Sequence, residues 1–293
     1  MSKFLKFISW IFIILGMLCL IIAFYVFLSD KQYFILGEKF NLDIGNQFGG
    51  LLAGLVGIFF TGTGTFLVFL TFEQQRDQFK ISQFETSYFN LLSHLQILID
   101  QISGPVRWLN ISSGDVKGRL YLYYQIRELK ELITNKINSL LNEKLEKEEL
   151  EKYSKLTEVF LFNDKDLSNP VPLDKDLLLD FIQNIYEEFY NRRYSFLSHY
   201  FRFVYHIIKF VNDSKISQDD KQKYIDLIQS QMTSDELGLI LFNGLGKIAH
   251  RKTYPLLEDY NFLSNLDTRL LPYPKLIIKL YPKTEFKYLK YSS

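Results

Sequence analysis

The chain of 293 residues is 47% hydrophobic, 16% aromatic and 23% charged, with 34 Lys+Arg against 33 Asp+Glu. That balance excludes a strongly basic nucleic-acid binder and an acidic disordered chain. The single cysteine, Cys19, excludes a disulfide framework and any Cys-based zinc site.

Two uncharged apolar runs open the chain. The first, Phe7 to Leu28, holds 22 residues; a helix of that length roughly matches the ~30 Å hydrocarbon core of a bilayer. It exceeds the usual apolar length of a secretory signal, and Leu28-Ser29-Asp30 offers no small-x-small cleavage site, so a retained anchor is expected. The second run, Phe48 to Phe72, holds 25 residues and ends at Glu73-Gln74-Gln75-Arg76-Asp77. Residues 29–47 join the two runs as a short outer loop. Lys3 and Lys6 precede the first span, and Arg76 and Lys80 follow the second, which places both termini in the cytoplasm.

Within the second span, Gly50, Gly54, Gly57, Thr61 and Gly64 recur at steps of four, three, four and three. Such steps keep small residues on one narrow stripe, where helix backbones approach closely in lipid. Two roles are open to it: a groove receiving the first span, or a self-association face lining a pore, with Thr61, Thr63 and Thr65 supplying hydroxyls. The TGTGT run at 61–65 lacks the Lys of a phosphate loop.

Removing the four lysines and three acids of residues 1–72 leaves 30 basic and 30 acidic residues in the body, 73–293. This part has no nucleic-acid footprint overall. Helical periodicity dominates it, giving an all-α fold: two N-terminal transmembrane helices, then a cytoplasmic multi-helical domain with a short extended C-terminal tail. A helix over 73–102 continues from the second span and stops at Gly104-Pro105. Another helical stretch follows Asp115, and a charged, leucine-spaced segment runs from Glu128 to Phe162, with a solvated Lys/Glu-rich middle at 144–152. Residues 163–173 read as a loop, and a long helix follows at about 175–211. Ser217 with Asp220, and Thr233 with Glu236, mark two helix starts, the second a capping box. Gly244 and Gly246 suit a helix end. Beyond Leu271, Pro272, Pro274 and Pro282 exclude a long helix. Leu276-Ile277-Ile278 reads as a short strand in a basic, solvated tail.

Between Tyr186 and Phe210, ten of 25 residues are aromatic. Most of that helix is therefore buried, leaving one polar stripe: Glu188, Arg192, Ser195, His199, Arg202 and His206. It is either the wet side of a buried helix, with surface pairs worth ~0.3–0.5 kcal/mol each, or a face suited to anion binding or proton transfer. Arg193, followed after five residues by His199, also fits the loose R-x(4–6)-H spacing of HEPN-type ribonucleases. That resemblance implies an all-helical domain in which His assists attack by the RNA 2′-hydroxyl and Arg stabilises the phosphate. Tyr194 departs from the polar residue usual after the Arg. The catalytic candidates are thus Arg193, His199, Arg202 and His206. The four histidines form no H-E-x-x-H or H-x-x-E-H arrangement, so neither a metal nor another cofactor is expected. Nothing amounts to a sufficient enzyme site.

The runs SFLSHYFRFVYHIIKFV (195–211) and SQDDKQKYIDLIQSQMTSDELGLILFNGL (217–245) resemble a phage abortive infection family related to lactococcal AbiC. Two N-terminal spans followed by TFEQQRDQFKISQFETSYFNLLSHL (71–95) fit the same layout. The resemblance implies a bacterial or phage-associated defence protein whose activation halts phage multiplication. It brings no settled mechanism. Its matching positions are His199, Tyr200, Phe201, Arg202, Tyr205, Lys209, Ser234, Asp235, Glu236, Asn243 and Gly244, a shared core either functional or structural.

The sequence therefore leads to a multi-pass protein of the bacterial inner membrane that perturbs the bilayer when infection is sensed. Its expected partners are the lipid bilayer, further copies of itself, and a phage-derived or neighbouring-gene trigger. The alternatives are a membrane-tethered HEPN-like ribonuclease and a non-enzymatic sensor or scaffold recruiting a separate effector.

Overall fold

The structure, a computed structural model, describes residues 2–29, 42–106, 116–162 and 172–287. Most of the expected outer loop, nearly all of the 163–173 loop and the last six residues of the tail lie outside the described residues. The protein is all-α. Its helices are α1 (Ser2–Ser29), α2 (Leu42–Gln101), α3 (Gly118–Leu141), α4 (Lys147–Phe162) and α5 (Lys175–Asp213). After these come α6 (Gln218–Ser230), α7 (Ser234–Leu245), α8 (Lys247–His250), α9 (Thr253–Asp259) and α10 (Pro274–Ile277). The chain divides into two compact units, Met1–Phe84 and Glu85–Ser293, and the 60-residue α2 contributes to both.

In the first unit, α1 and α2 are long and apolar enough to cross a membrane. A core helix of a soluble protein would bury that surface, whereas Trp10, Ile14, Ile21, Leu51, Ile58 and Val68 are exposed. The helices meet through small residues, which let their backbones approach closely. The Phe12 ring stands edge-on to Phe59 and Phe66, with centroids 5.9 and 5.5 Å away. A Cβ on Gly62 would lie 3.0 Å from Phe12, and one on Gly16 would lie 3.1 Å from Phe59. Ser9 and Thr63 are also buried. Thr63 and Thr65 return their hydroxyls to the carbonyls of Phe59 and Thr61, so neither needs an interhelical partner.

Gly62 and Thr63 form the seat of α1, while a Cβ on Gly50, Gly54, Gly57 or Gly64 would meet nothing within 4 Å. Phe12 is large and needs a glycine directly opposite it. The stripe lies on another face and stays open.

In the second unit α5 is central, packing on α3, α4, α6, α7 and α9. Asp174 caps its start by accepting from the Leu177 amide at 3.0 Å. The end of α2 joins this core through Tyr88, Leu92, Leu95 and Ile99. The Tyr88 hydroxyl donates to the Tyr224 carbonyl, and the Tyr224 hydroxyl donates to Glu85 at 2.8 Å. Ser217 caps α6, and Thr233 with Glu236 closes the capping box of α7.

Two local features add to the sequence reading, and a third corrects it. The segment 128–162 is two helices, broken where Glu143 turns to φ 57° and the Lys144 amide bonds back to Ser139. Pairing of β1 (Ser103–Gly104) with β2 (Val116–Lys117) adds a two-residue antiparallel ladder, too short to leave a period-2 pattern. The stretch at 276–278 is helical, because Pro274 occupies the first turn of α10, where its fixed φ is already suitable. That stretch is not solvated either: Leu276, Ile277, Leu280, Tyr281 and Phe286 are buried, and the Lys287 amide reaches the Ser264 carbonyl.

Gly244 and Gly246 answer to space rather than to backbone freedom. Gly246 caps α7 at φ −57°, which any residue adopts. A Cβ there would lie 2.7 Å from Tyr186 Cε1, and one on Gly244 would lie 2.5 Å from the Tyr281 hydroxyl. Gly246→Ala is expected to destabilise the body by about 1–3 kcal/mol, the usual cost of overpacking. The measurement is the unfolding midpoint of the full chain in detergent, compared with the unsubstituted chain.

Candidate functional site

The aromatic density of α5 is used in two ways. Phe181, Tyr186, Phe189, Tyr200 and Phe201 are buried in the core. A second set winds around the helix at steps of four: Tyr186, Tyr190, Tyr194, Ser198, Arg202 and His206. Each step of four drifts by about 40° on an α-helix, so this ridge spirals along α5. Together with α7, α8 and α9 it encloses a cavity of ≈ 380 Å³.

The cavity wall is a ladder of rings. Tyr186 and Tyr190 stack with 16° between planes and centroids 5.7 Å apart. Tyr194 stands edge-on to Tyr190 at 84°, and the Phe201 ring approaches Tyr190 with centroids 6.2 Å apart. At its base, Asn243 Nδ2 donates to the Tyr186 hydroxyl at 2.8 Å. Burial pushes the Tyr186 phenol well above its ordinary pKa, and the Asn243 bond only partly opposes this. The hydroxyl therefore stays protonated, and its own hydrogen is available to donate. Burial also raises Tyr190, with Tyr194 adding to the shift and the nearby Arg202 charge opposing it.

Cations stand at the mouth. Arg202, His206 and Lys252 line the cavity and are exposed. Among the described residues none of them forms an ion pair; Arg202 Nε reaches only the Ser198 carbonyl, at 3.3 Å. The lining carboxylate, Glu187, accepts the Lys247 amide at 3.2 Å and so caps α8. Gln183 donates to the Leu245 carbonyl at 2.7 Å, which fixes the turn between α7 and α8. Among the described residues, no three His, Cys, Asp or Glu side chains converge as a metal set.

The polar stripe read along α5 is exposed but is not one site. Glu188 and Arg192 pair with each other, and Ser195 faces solvent. His199 borders a separate hollow that also receives His94 of α2, among Phe196, Tyr200 and Phe203. Only Arg202 and His206 reach the aromatic cavity. Arg193 sits elsewhere, nearly buried, with its guanidinium forked onto both Glu128 oxygens at 2.9 and 2.7 Å. Six residues of α-helix separate it from His199, about 120° apart around the axis. The structure therefore does not bring Arg193 and His199 together.

The positions matching the AbiC-like pattern divide in the same way. Tyr200 is fully buried, Ser234 and Glu236 build the start of α7, and Lys209 pairs with Asp213 on the surface. Burial raises the Asp235 carboxyl, with Arg127 opposing. Phe201, Arg202, Tyr205 and Asn243 line the cavity. Tyr186, Tyr190, Tyr194, Glu187 and Lys252 were not singled out from sequence. The step-of-four ridge was the available signal for the three tyrosines, but aromatic residues on a helix read first as core.

Residues 192–271 match the family model described as "Putative phage abortive infection protein". Over that stretch the chain resembles that family. The match supports a role in phage abortive infection. It covers the second half of α5 through α9, and so includes Arg202, His206, Asn243, Gly246 and Lys252, while α1 and α2 lie outside it. No curated protein and no solved structure matches the chain.

Removing one partner of a buried ion pair leaves the other charge uncompensated, at a cost of about 3–5 kcal/mol. Arg193→Ala should therefore lose stability on that scale. Arg193→Met with Glu128→Leu should restore most of it, and also phage protection, because a positioning pair tolerates apolar replacement and a phosphate-binding arginine does not. Thermal unfolding and plaque counts check the two halves.

Proposed function

We propose that this AbiC-like chain is a membrane-anchored abortive infection effector. Its α1 and the first part of α2 span the bacterial inner membrane, with both termini in the cytoplasm. Copies associate through the stripe Gly50, Gly54, Gly57, Thr61 and Gly64. An infection signal, phage-derived or from a neighbouring gene product, acts on the body. It shifts this assembly toward a state that perturbs the bilayer, and it does so only to the extent that it binds that state more tightly. The bilayer and further copies of the chain are then the principal partners.

One observation carries this reading: α1 is seated on Gly62 and Thr63, and the small-residue stripe of α2 is left open. Four glycines facing nothing weaken a helix by roughly 1 kcal/mol each relative to Ala. A second helix packed on them offsets that cost, since close backbone approach is what they permit.

Cysteine cross-linking in native membranes tests it. With Cys19→Ser as background, Thr61→Cys should give a disulfide-linked pair of chains. Thr63→Cys, buried against α1, should remain monomeric. Gly54→Leu with Gly57→Leu should abolish both cross-linking and phage protection while membrane insertion is retained. Equal cross-linking at 61 and 63, or full protection from the double leucine variant, contradicts the reading.

A ribonuclease reading now rests on Arg202 and His206, which share a cavity where Arg193 and His199 do not. Cleaved RNA in infected cells carrying the wild-type chain, and intact RNA with His206→Ala, would favour it.

A further inference from the structure

We propose that the cavity between α5, α7, α8 and α9 binds a nucleoside phosphate, the ring held by the tyrosine ladder and the phosphate by the cations at the mouth. The inference stands apart from the membrane reading: it concerns the body alone, and either can fail without the other.

Three features of the cavity define its ligand. Its walls are aromatic, and Tyr194, 56% exposed, lines it with a ring left largely unburied. A surface tyrosine with half its area in water gives nothing to the core, yet it extends the ladder that Tyr190 begins. Flat aromatic surfaces of this kind stack on any base. The floor is polar and specific. Tyr186 has an O–H to donate, and Asn243, whose Nδ2 is engaged by that hydroxyl, has its Oδ1 free to accept. A donor and an acceptor side by side suit the edge of a heterocyclic ring and have no use for a hydrocarbon chain. The mouth is positive. Arg202 and Lys252 have no acidic partner among the described residues, and the neighbouring carboxylate, Glu187, is turned to the α8 backbone. A guanidinium left without a carboxylate is suited to forked recognition of phosphate.

Size narrows the class. Small-molecule sites run from about 300 to 1,000 Å³, and ≈ 380 Å³ is at the lower end. That holds one ring, one sugar and a phosphate, and not a dinucleotide. Ile248, 79% exposed at the rim of the cavity, is placed to cover the sugar once a ligand enters. The placement of the cavity agrees: most of its lining lies in the stretch that matches the family model, while the ion-paired surface of α4 does not.

The test uses the full-length chain in detergent micelles and isothermal titration with AMP, GMP, CMP and UMP. The matching nucleosides and inorganic phosphate serve as further probes. Saturable binding of at least one monophosphate is expected, tighter by tenfold or more than its nucleoside and than phosphate alone. Tyr194→Ala and Arg202→Ala replace exposed residues and leave the fold intact. Each should weaken binding about tenfold or more, in line with the loss of one stacking surface or one phosphate contact. Tyr194→Phe should bind as the wild type does. No saturable binding by any monophosphate overturns the proposal. So does binding indifferent to both variants, or inorganic phosphate binding as tightly as the nucleotides.

Discussion

The ring of Tyr186 lies against bare backbone at Gly246, and that contact sets how closely α5 and α7 approach. Around it, Asn243 holds the phenol, Gln183 holds the end of α7, and Glu187 caps the short helix that follows. Two residues earlier, Tyr281 makes the same kind of approach to Gly244 and donates to the Leu241 carbonyl at 2.7 Å. The C-terminal stretch is thereby tied to the central helix pair. The cavity is a consequence. Because Tyr186 is pinned at its base, the rings stacked beyond it are held in line, and the arginine and histidine two and three turns further on face the same space.

The first unit carries small residues on two faces. Gly62 and Gly16 accept phenylalanine rings and join α1 to α2. Gly50, Gly54, Gly57 and Gly64 meet nothing within 4 Å, although leaving glycine in a helix costs stability. In a lipid phase no hydrophobic drive distinguishes Gly from Leu facing the tails, so the benefit of a glycine must come from an approaching backbone. That constraint underlies the proposed self-association, and α2 carries it as one helix with the tyrosines that anchor its far end in the body.

Much of this architecture was legible from the residues alone. Both apolar helices, the continuation of the second to residue 101, the capping box at Thr233 and the long aromatic α5 follow from periodicity and capping chemistry, which are local signals. What escaped was non-local. The identity of the glycine opposite Phe12 depends on the crossing of two helices, and no spacing within α2 distinguishes Gly62 from Gly57. Arg193 looked like chemistry because its partner Glu128 lies 65 residues away on another helix. The tyrosine ladder escaped because burial and ligand contact ask for the same side chains. Only the open space beside Tyr194 separates the two uses.

The central claim, that the membrane is the target, is tested most directly by following membrane potential with a voltage-sensitive dye in phage-infected cells. With the intact chain, the account predicts collapse of the potential before lysis. With Gly54→Leu and Gly57→Leu, the potential should hold for as long as it does in cells without the protein. A potential that stays steady in cells carrying the intact chain, while phage production stops, would contradict it.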